Sequence, residues 1–165
     1  MQKMRFGVVA GCFLVLSSSA AWGASAGGPG LKTFNDVCSL CHQTQGAGLA
    51  GQFPRLADRA RDIAQTPDGR KYMISLVLYG MSGSITVDGT PIVGVMPGFA
   101  TTYSNGALAD VLNYAVRLGA GGGARGKVMS FTAAEVNAQR KDPPLSTADV
   151  HAMRQQLEAS GALPK

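Results

Sequence analysis

One short motif constrains this chain more than any other feature, the segment Cys38-Ser39-Leu40-Cys41-His42. It places two thiols three residues apart and an imidazole directly after the second thiol. On a helical turn, thiols at this spacing reach the two vinyl groups of a porphyrin and form thioethers, and the adjoining imidazole then faces the iron. The pattern C-x-x-C-H therefore predicts covalent attachment of one haem c, with His42 as an axial ligand.

Two other kinds of site use a C-x-x-C pair. A thioredoxin-like redox pair follows a β-strand, whereas Leu31, Phe34 and Val37 fall at helical spacing and predict an amphipathic helix that runs into the motif. A zinc site needs a fourth ligand, and the distant His151 is the one candidate left in the mature chain. Both observations favour the haem interpretation.

Residues 1–26 have the arrangement of a secretory signal peptide. Lys3 and Arg5 give a positive start, an apolar run follows, and small residues end the segment at Ala24-Ser25-Ala26. The apolar run of about eleven residues is shorter than the roughly 20 that span a bilayer, so we expect no permanent membrane anchor. The segment predicts export, and we expect a periplasmic protein.

Composition narrows the class of this 165-residue chain. Only 15% of its residues are charged, against roughly 25% in soluble domains. Once the two basic residues of the predicted signal peptide are left out, the chain has thirteen Lys and Arg and ten Asp and Glu, a net charge of +3. No basic run is longer than Arg70-Lys71. This is too little for a nucleic-acid-binding surface. The low charge suits a chain that wraps an apolar group.

Capping signals predict two helices after the motif. Thr66 and Pro67 make a good N-cap and first-turn pair, and the helical spacing that follows stops at Gly80. Ser104 can cap the next helix, which we expect to end at Leu118-Gly119. From Gln43 to Leu56, three glycines and a proline predict an irregular loop that lies over another part of the molecule.

Two further patterns complete the predicted organisation. Asp88-Gly89 stands between short β-forming runs and predicts a two-residue hairpin, in which Pro91 confines its strand to an edge. Thr132 and Ser146 begin capping boxes, each starting a short helix.

The predicted fold class is all-α with a small β-hairpin insertion. Its parts are a signal peptide (1–26), a haem domain (27–118) and a glycine-rich linker with a helical C-terminal extension (119–165).

These residues together resemble the class I cytochrome c family, in the branch found as single-haem periplasmic electron carriers and dehydrogenase subunits. The resemblance covers Gly30 to about Leu118. Gly30 and Phe34, with Val111 and Tyr114, resemble the positions at which the first and last helices of that family cross. The resemblance implies a fold whose helices wrap the haem.

The segment Phe53-Pro54-Arg55-Leu56 resembles the haem-edge loop of the same family. The resemblance implies that the carbonyl of Pro54 accepts the N–H of the proximal imidazole. Arg55 and Arg59 are candidates for neutralising haem propionates, because buried anions need partners, although most arginines on a small basic domain are solvated. We take Arg55 as the candidate.

The second axial position of the iron needs a side chain from the other half of the chain. Five methionines follow His42. Three of them are expected in helices or beyond the haem domain: Met73, Met129 and Met153. Met96 precedes Pro97 in a segment expected to be irregular, which resembles the Met-Pro ligand loop of the family. Met96 is therefore the predicted ligand, and Met81, after a helix stop, and His151 are the alternatives.

A haem held by Cys38, Cys41, His42 and Met96 has no open coordination position. Its chemistry is one-electron transfer between Fe(II) and Fe(III), so we expect an electron carrier and not an enzyme. The alternative is a haem enzyme or ligand sensor whose sixth position opens, but the Met96 segment supplies no distal histidine with an acid-base partner. The resemblance implies a periplasmic redox partner, either a dehydrogenase or a terminal oxidase.

The helical extension is longer than the core of the family requires. Its apolar residues are Phe131, Val136, Leu145, Val150, Met153 and Leu157. Helices this short are marginal alone, so they pack on the haem domain or on a partner. Two roles are open at this point: a shield for the back of the haem domain, or a docking element for a dehydrogenase.

Overall fold

The computed structural model describes residues 28–119, 129–141 and 143–164. The predicted signal peptide and most of the predicted linker lie outside these ranges. Among the residues described, no helix is both long and apolar enough to cross a membrane.

The helices and strands follow the order that the local signals predict. In chain order they are α1 (Leu31–Thr33), a π-helical turn (Phe34–Cys38), α2 (Ser39–His42), a 3-10 turn (Thr44–Gly46), α3 (Arg59–Ile63), α4 (Pro67–Tyr79), β1 (Gly80–Val87), β2 (Thr90–Pro97), α5 (Asn105–Ala115), α6 (Ala133–Gln139) and α7 (Thr147–Ala159). From α1 to α2 the backbone is continuously helical, and it leaves that conformation at Gln43, where φ is 63°. The predicted helix that runs into the motif is confirmed.

The predicted helix starts are confirmed by their side-chain caps. Four hydroxyl oxygens accept a hydrogen bond from the backbone N–H three residues further on, at 3.0 to 3.2 Å: those of Thr66, Ser104, Thr132 and Ser146. Both capping boxes are complete. The helix after Ser104 ends at Ala115, earlier than the predicted Leu118-Gly119, because the backbone tightens into a turn there. The short helix α3 was not predicted.

The predicted hairpin is present, with strands of eight residues each. β1 and β2 pair antiparallel around Asp88 and Gly89, whose φ angles of 51° and 76° suit a two-residue turn. The ladder extends to Gly80 opposite Pro97. The prediction of an irregular segment around Met96 is therefore wrong, since the ladder includes this residue. The all-α prediction is correct only in part, because this sheet accompanies the helices.

The first helical segment crosses α5 at the residues that the resemblance indicates. A Cβ atom on Gly30 would lie 2.1 Å from the carbonyl oxygen of Asp110 and 2.8 Å from Cβ of Tyr114. The rings of Phe34 and Tyr114 are 5.0 Å apart, and Phe34 is fully buried with Val111. Only glycine allows the backbones to approach this closely, which fixes the start of the segment that carries the motif.

The helical extension packs into the main core. Four of its side chains are at most 5% exposed and belong to the same buried cluster as side chains of α4, α5 and the hairpin: Phe131, Val136, Val150 and Leu157. Arg70 on α4 lies 4.0 Å above the ring of Phe131 and donates a hydrogen bond to Glu135 at 2.8 Å. α7 packs along β1 and α4. The extension and the haem domain therefore share one core.

Candidate haem-binding site

His42 lies at the end of α2 with its ring held in one orientation. The residue is 8% exposed, and Nδ1 lies 2.8 Å from the carbonyl oxygen of Pro54. Because a carbonyl oxygen only accepts, Nδ1 carries the proton and Nε2 keeps its lone pair. Burial lowers the pKa of His42 below its ordinary value, and the hydrogen bond to Pro54 acts in the opposite direction. A neutral imidazole oriented in this way is the form that ligates a metal.

The loop after α2 folds back over the helix and brings Pro54 to His42. The N–H of Gly48 donates to the carbonyl of His42 at 2.8 Å, and Leu49 and Phe53 exchange two backbone hydrogen bonds of 2.8 Å. Gly48 has a φ of +68°, which favours glycine. The predicted irregular loop is thus held by its own backbone hydrogen bonds. These bonds fix the position of the Pro54 carbonyl, which accepts the N–H of His42.

The two thiols lie on the helical segment that ends at His42. Cys38 is half-buried, Cys41 is exposed, and both are free. Burial raises the pKa of the Cys38 thiol to about 11, so this thiol is protonated at neutral pH, unlike the activated thiolate of a thioredoxin-like pair. His151, the fourth ligand that a zinc site would need, has its Nε2 2.8 Å from the carbonyl oxygen of Ser84. These observations support neither a thioredoxin-like redox pair nor a zinc site at this motif.

A cavity of about 220 Å³ lies between the loop after α2 and the turn end of the hairpin. Its lining is mostly apolar: Ala47, Leu49, Ala50, Gly51, Phe53, Arg55, Val87, Asp88, Thr90 and Ile92. Its lining includes none of the predicted haem ligands, Cys38, Cys41, His42 and Met96, although it borders the loop that holds Pro54. The fit to haem c therefore rests on the donor set itself, two thiols and an imidazole with a free Nε2 on one helical segment.

Arg55 borders the cavity, but its guanidinium is bonded within the protein. Nε and Nη2 donate to the carboxylate of Asp88 at 2.9 and 3.0 Å, and Arg59 donates to the same carboxylate at 2.9 Å. The hydrogen bond from Arg55 holds the pKa of Asp88 below its ordinary value. Two guanidinium groups thus share one carboxylate, and the carboxylates of Asp58 and Asp62 are close enough to stabilise the charge of Arg55 as well. Propionate binding by Arg55 stays a prediction.

Met81 and Met96 are cross-strand partners in the hairpin, so their side chains share one face. Met81 is buried in the core, and its Sδ accepts a hydrogen bond from the hydroxyl of Tyr72 at 3.7 Å. Met96 is half-buried near the end of β2. The other methionines are packed in the core or exposed: Met73, Met153 and Met129. The thioether of Met81 is therefore buried and already hydrogen-bonded, and Met96 is the stronger candidate ligand.

The sequence does not single out Asp88 as a member of the site, and it does not indicate that Tyr72 bonds to Met81. For Asp88 it predicts only a turn, and its partner Arg55 is 33 residues away in the chain. The contact between Tyr72 and Met81 depends on how α4 packs under the hairpin. No local pattern marks either interaction.

Comparison with known proteins finds c-type cytochromes. Cytochrome c-552 of Thermus thermophilus is 42% identical over 77 residues, which are 47% of this chain and 58% of that protein. The cytochrome c subunit of alcohol dehydrogenase (quinone) from Gluconacetobacter polyoxogenes is 31% identical over 121 residues, 73% of this chain and 24% of the relative. The gluconate 2-dehydrogenase cytochrome c subunit of Pantoea cypripedii is 31% identical over 144 residues, 84% of this chain and 31% of the relative.

No protein-family model matches the chain. The matches span 58% of the length of cytochrome c-552 and less than a third of the two dehydrogenase subunits. Considered with the C-x-x-C-H motif and the orientation of His42, these relatives show that the chain belongs to the c-type cytochrome family. The cofactor that this family implies is haem c.

Proposed function

We propose that the mature chain is a periplasmic cytochrome that holds a single covalent haem c and carries one electron at a time between protein partners. The observation that carries this proposal is the 2.8 Å contact between His42 Nδ1 and the Pro54 carbonyl oxygen, directly beside the two thiols. The contact leaves Nε2 as the free ligand. Bound haem c supplies the Fe(II)/Fe(III) couple.

Each residue of the site has a defined task in this proposal. Cys38 and Cys41 would hold the haem through two thioether bonds. His42 through Nε2 and Met96 through Sδ would ligate the iron. With both ligands in place the iron would be closed to substrate, and the haem would supply one-electron transfer by contact between proteins.

We propose a dehydrogenase as the electron donor, with a terminal oxidase as the alternative partner. Two of the relatives are named as cytochrome c subunits of dehydrogenases. The match to the gluconate 2-dehydrogenase subunit covers 84% of this chain, more than residues 1–118 contain, and so includes part of the extension. The periplasmic location rests on the signal-peptide pattern of residues 1–26.

Met96→Ala tests the axial ligation that defines a carrier. We expect the variant to open the sixth position, to bind carbon monoxide in the ferrous state, and to have a lower reduction potential, because thioether ligation favours Fe(II). Carbon monoxide difference spectra and voltammetry of the purified holoprotein measure both effects.

Met81→Ala is the matched control on the opposite strand. It removes a buried side chain and costs about 2 to 5 kcal/mol of stability, but it keeps the Met96 thioether, so below its melting temperature it should bind carbon monoxide far more weakly than Met96→Ala. Carbon monoxide binding by the Met81 variant and not by the Met96 variant would reverse the assignment. Binding by the unmodified protein would instead favour a haem enzyme or ligand sensor.

A further inference from the structure

The extension helix α7 buries an arginine against the hairpin. Arg154 is 5% exposed and lies on the face of α7 that also carries Val150 and Leu157. Its Nη2 donates to the carbonyl oxygen of Thr86 on β1 at 3.0 Å. Its Nε is 2.9 Å from a carboxylate oxygen of Glu158 but is not aligned for a hydrogen bond. A buried ion is weak evidence for stability, since an apolar side chain of similar volume often stabilises as well. Packing alone is therefore a poor explanation for an arginine here.

The helix that carries Arg154 packs against both β1 and α4, the helix that carries Tyr72. Tyr72 is 2% exposed. Burial raises the pKa of Tyr72, and the charge of Arg154 opposes that rise. The Tyr72 hydroxyl donates to Sδ of Met81 at 3.7 Å. The extension therefore reaches the thioether of Met81 through the packing of α7 on α4 and β1.

This line of contacts ends on the residue paired with Met96. The Cα atoms of Met81 and Met96 are partners in the ladder, so a shift of Met81 moves the segment that carries Met96. The two strands contain no charged residue, and Asp88 of the turn is held by Arg55 and not by α7. The middle of the hairpin therefore depends on packing and on the contacts that α4 and α7 supply.

We propose that Arg154 is a positioning residue for the sixth haem ligand. It fixes β1 and the Tyr72 hydroxyl, which keeps the thioether of Met81 in the core and holds the thioether of Met96 in the ligating position. Arg154 acts through Tyr72 and Met81 and does not itself ligate. The inference rests on the proposed ligation by His42 and Met96, and it gives the extension a part in the redox site.

Imidazole competition measures this role, because added imidazole must displace Met96 from ferric iron. We expect Arg154→Met and Tyr72→Phe each to raise the imidazole affinity of the ferric holoprotein by about tenfold, the effect of losing one hydrogen bond to a charged or buried polar group. The far-red absorption band of thioether-ligated ferric haem should weaken in both variants. Titrations are run well below the melting temperature of each protein, and Tyr72→Phe keeps the test valid if Arg154→Met folds poorly.

Arg70→Met is the matched control. Arg70 is a partly buried arginine whose hydrogen bonds go to the extension, at Glu135, Met129 and Ser130, and not to the hairpin. We expect Arg70→Met to lower the melting temperature and to leave imidazole affinity within about twofold of the unmodified protein, a change under about 0.5 kcal/mol. An equal rise in imidazole affinity in this control would overturn the proposal, because general loosening would then explain the effect.

Two further outcomes separate the proposal from the function on which it rests. A far-red band in the unmodified protein, with imidazole affinity unchanged in Arg154→Met and Tyr72→Phe, would overturn the role of Arg154 alone. Absence of that band from the unmodified protein would overturn ligation by Met96 and, with it, the role of Arg154.

Discussion

A chain cut after Leu118 should lose most of its stability. The cut removes four side chains that are at most 5% exposed in the shared core: Phe131, Val136, Val150 and Leu157. Each contributes about 2 kcal/mol by burial, so their sum of about 8 kcal/mol lies within the roughly 5 to 15 kcal/mol that stabilise an ordinary domain. The cut also removes the hydrogen-bond partners of Arg70. It removes α7 as well, the helix that carries Arg154 and packs along β1.

The measurement compares thermal melting of the truncated and uncut holoproteins, each expressed with haem-maturation machinery. We expect the melting temperature to fall by at least about 15 °C, since 1 kcal/mol corresponds to roughly 3 °C in a domain of this size. Leu157→Ala and Met129→Ala provide a matched pair. The first should cost about 2 to 5 kcal/mol, and the second, at a side chain that is 77% exposed, should stay within about 0.5 kcal/mol.

The opposite result would establish the docking role of the extension. A truncated protein that keeps its melting temperature and its spectrum, but is no longer reduced by a partner dehydrogenase, would show that the extension serves the partner and not the core. Because the apolar side chains of the extension are buried, we expect the truncated protein to lose stability instead.

Changing Cys38 and Cys41 together to alanine should abolish covalent haem attachment. Without a thiol to add across either vinyl group, the variant should release all its haem in acidified acetone, and its intact mass should equal that of the bare polypeptide. The unmodified protein should keep the mass of one haem per chain. We also expect a large loss of folded protein, because a chain of this size has little buried apolar area to spare without the haem.

Leu40→Ala is the control for the double cysteine variant. Leu40 lies between the two thiols and is 73% exposed, so its removal should leave the covalent haem and the fold intact. Acid-resistant haem in the double cysteine variant, or the bare polypeptide mass for the unmodified protein, would contradict covalent attachment through this motif.

The elements that the sequence predicts well depend on local interactions. Thr66, Ser104, Thr132 and Ser146 cap helices through backbone groups only three residues away. Asp88-Gly89 determines a turn by its own dihedral angles. These signals are complete within a few residues, so they can be recognised without knowledge of the fold.

The elements that the sequence misses depend on contacts distant in the chain. The outer parts of β1 and β2, Gly80–Ser84 and Gly94–Pro97, have low β propensity, and their ladder forms because the strands are already paired near the turn. The pairing of Arg55 with Asp88 spans 33 residues. Neither could be deduced from local pattern alone.

Arg154 is an intermediate case, because a sequence signal for it exists. It falls four residues after Val150 and three before Leu157, on the buried stripe of α7. A charged residue on an apolar stripe is a candidate for a buried role. Its hydrogen-bond partner Thr86 lies on β1, however, and only the fold identifies it.

A spectroelectrochemical titration of the purified holoprotein, with and without carbon monoxide, tests most directly whether one haem c with two protein ligands serves as a one-electron carrier. We expect a single one-electron transition whose midpoint potential is the same under both conditions, because His42 and Met96 should hold the iron in both oxidation states. A rise of the midpoint potential under carbon monoxide, or more than one transition per chain, would contradict this expectation.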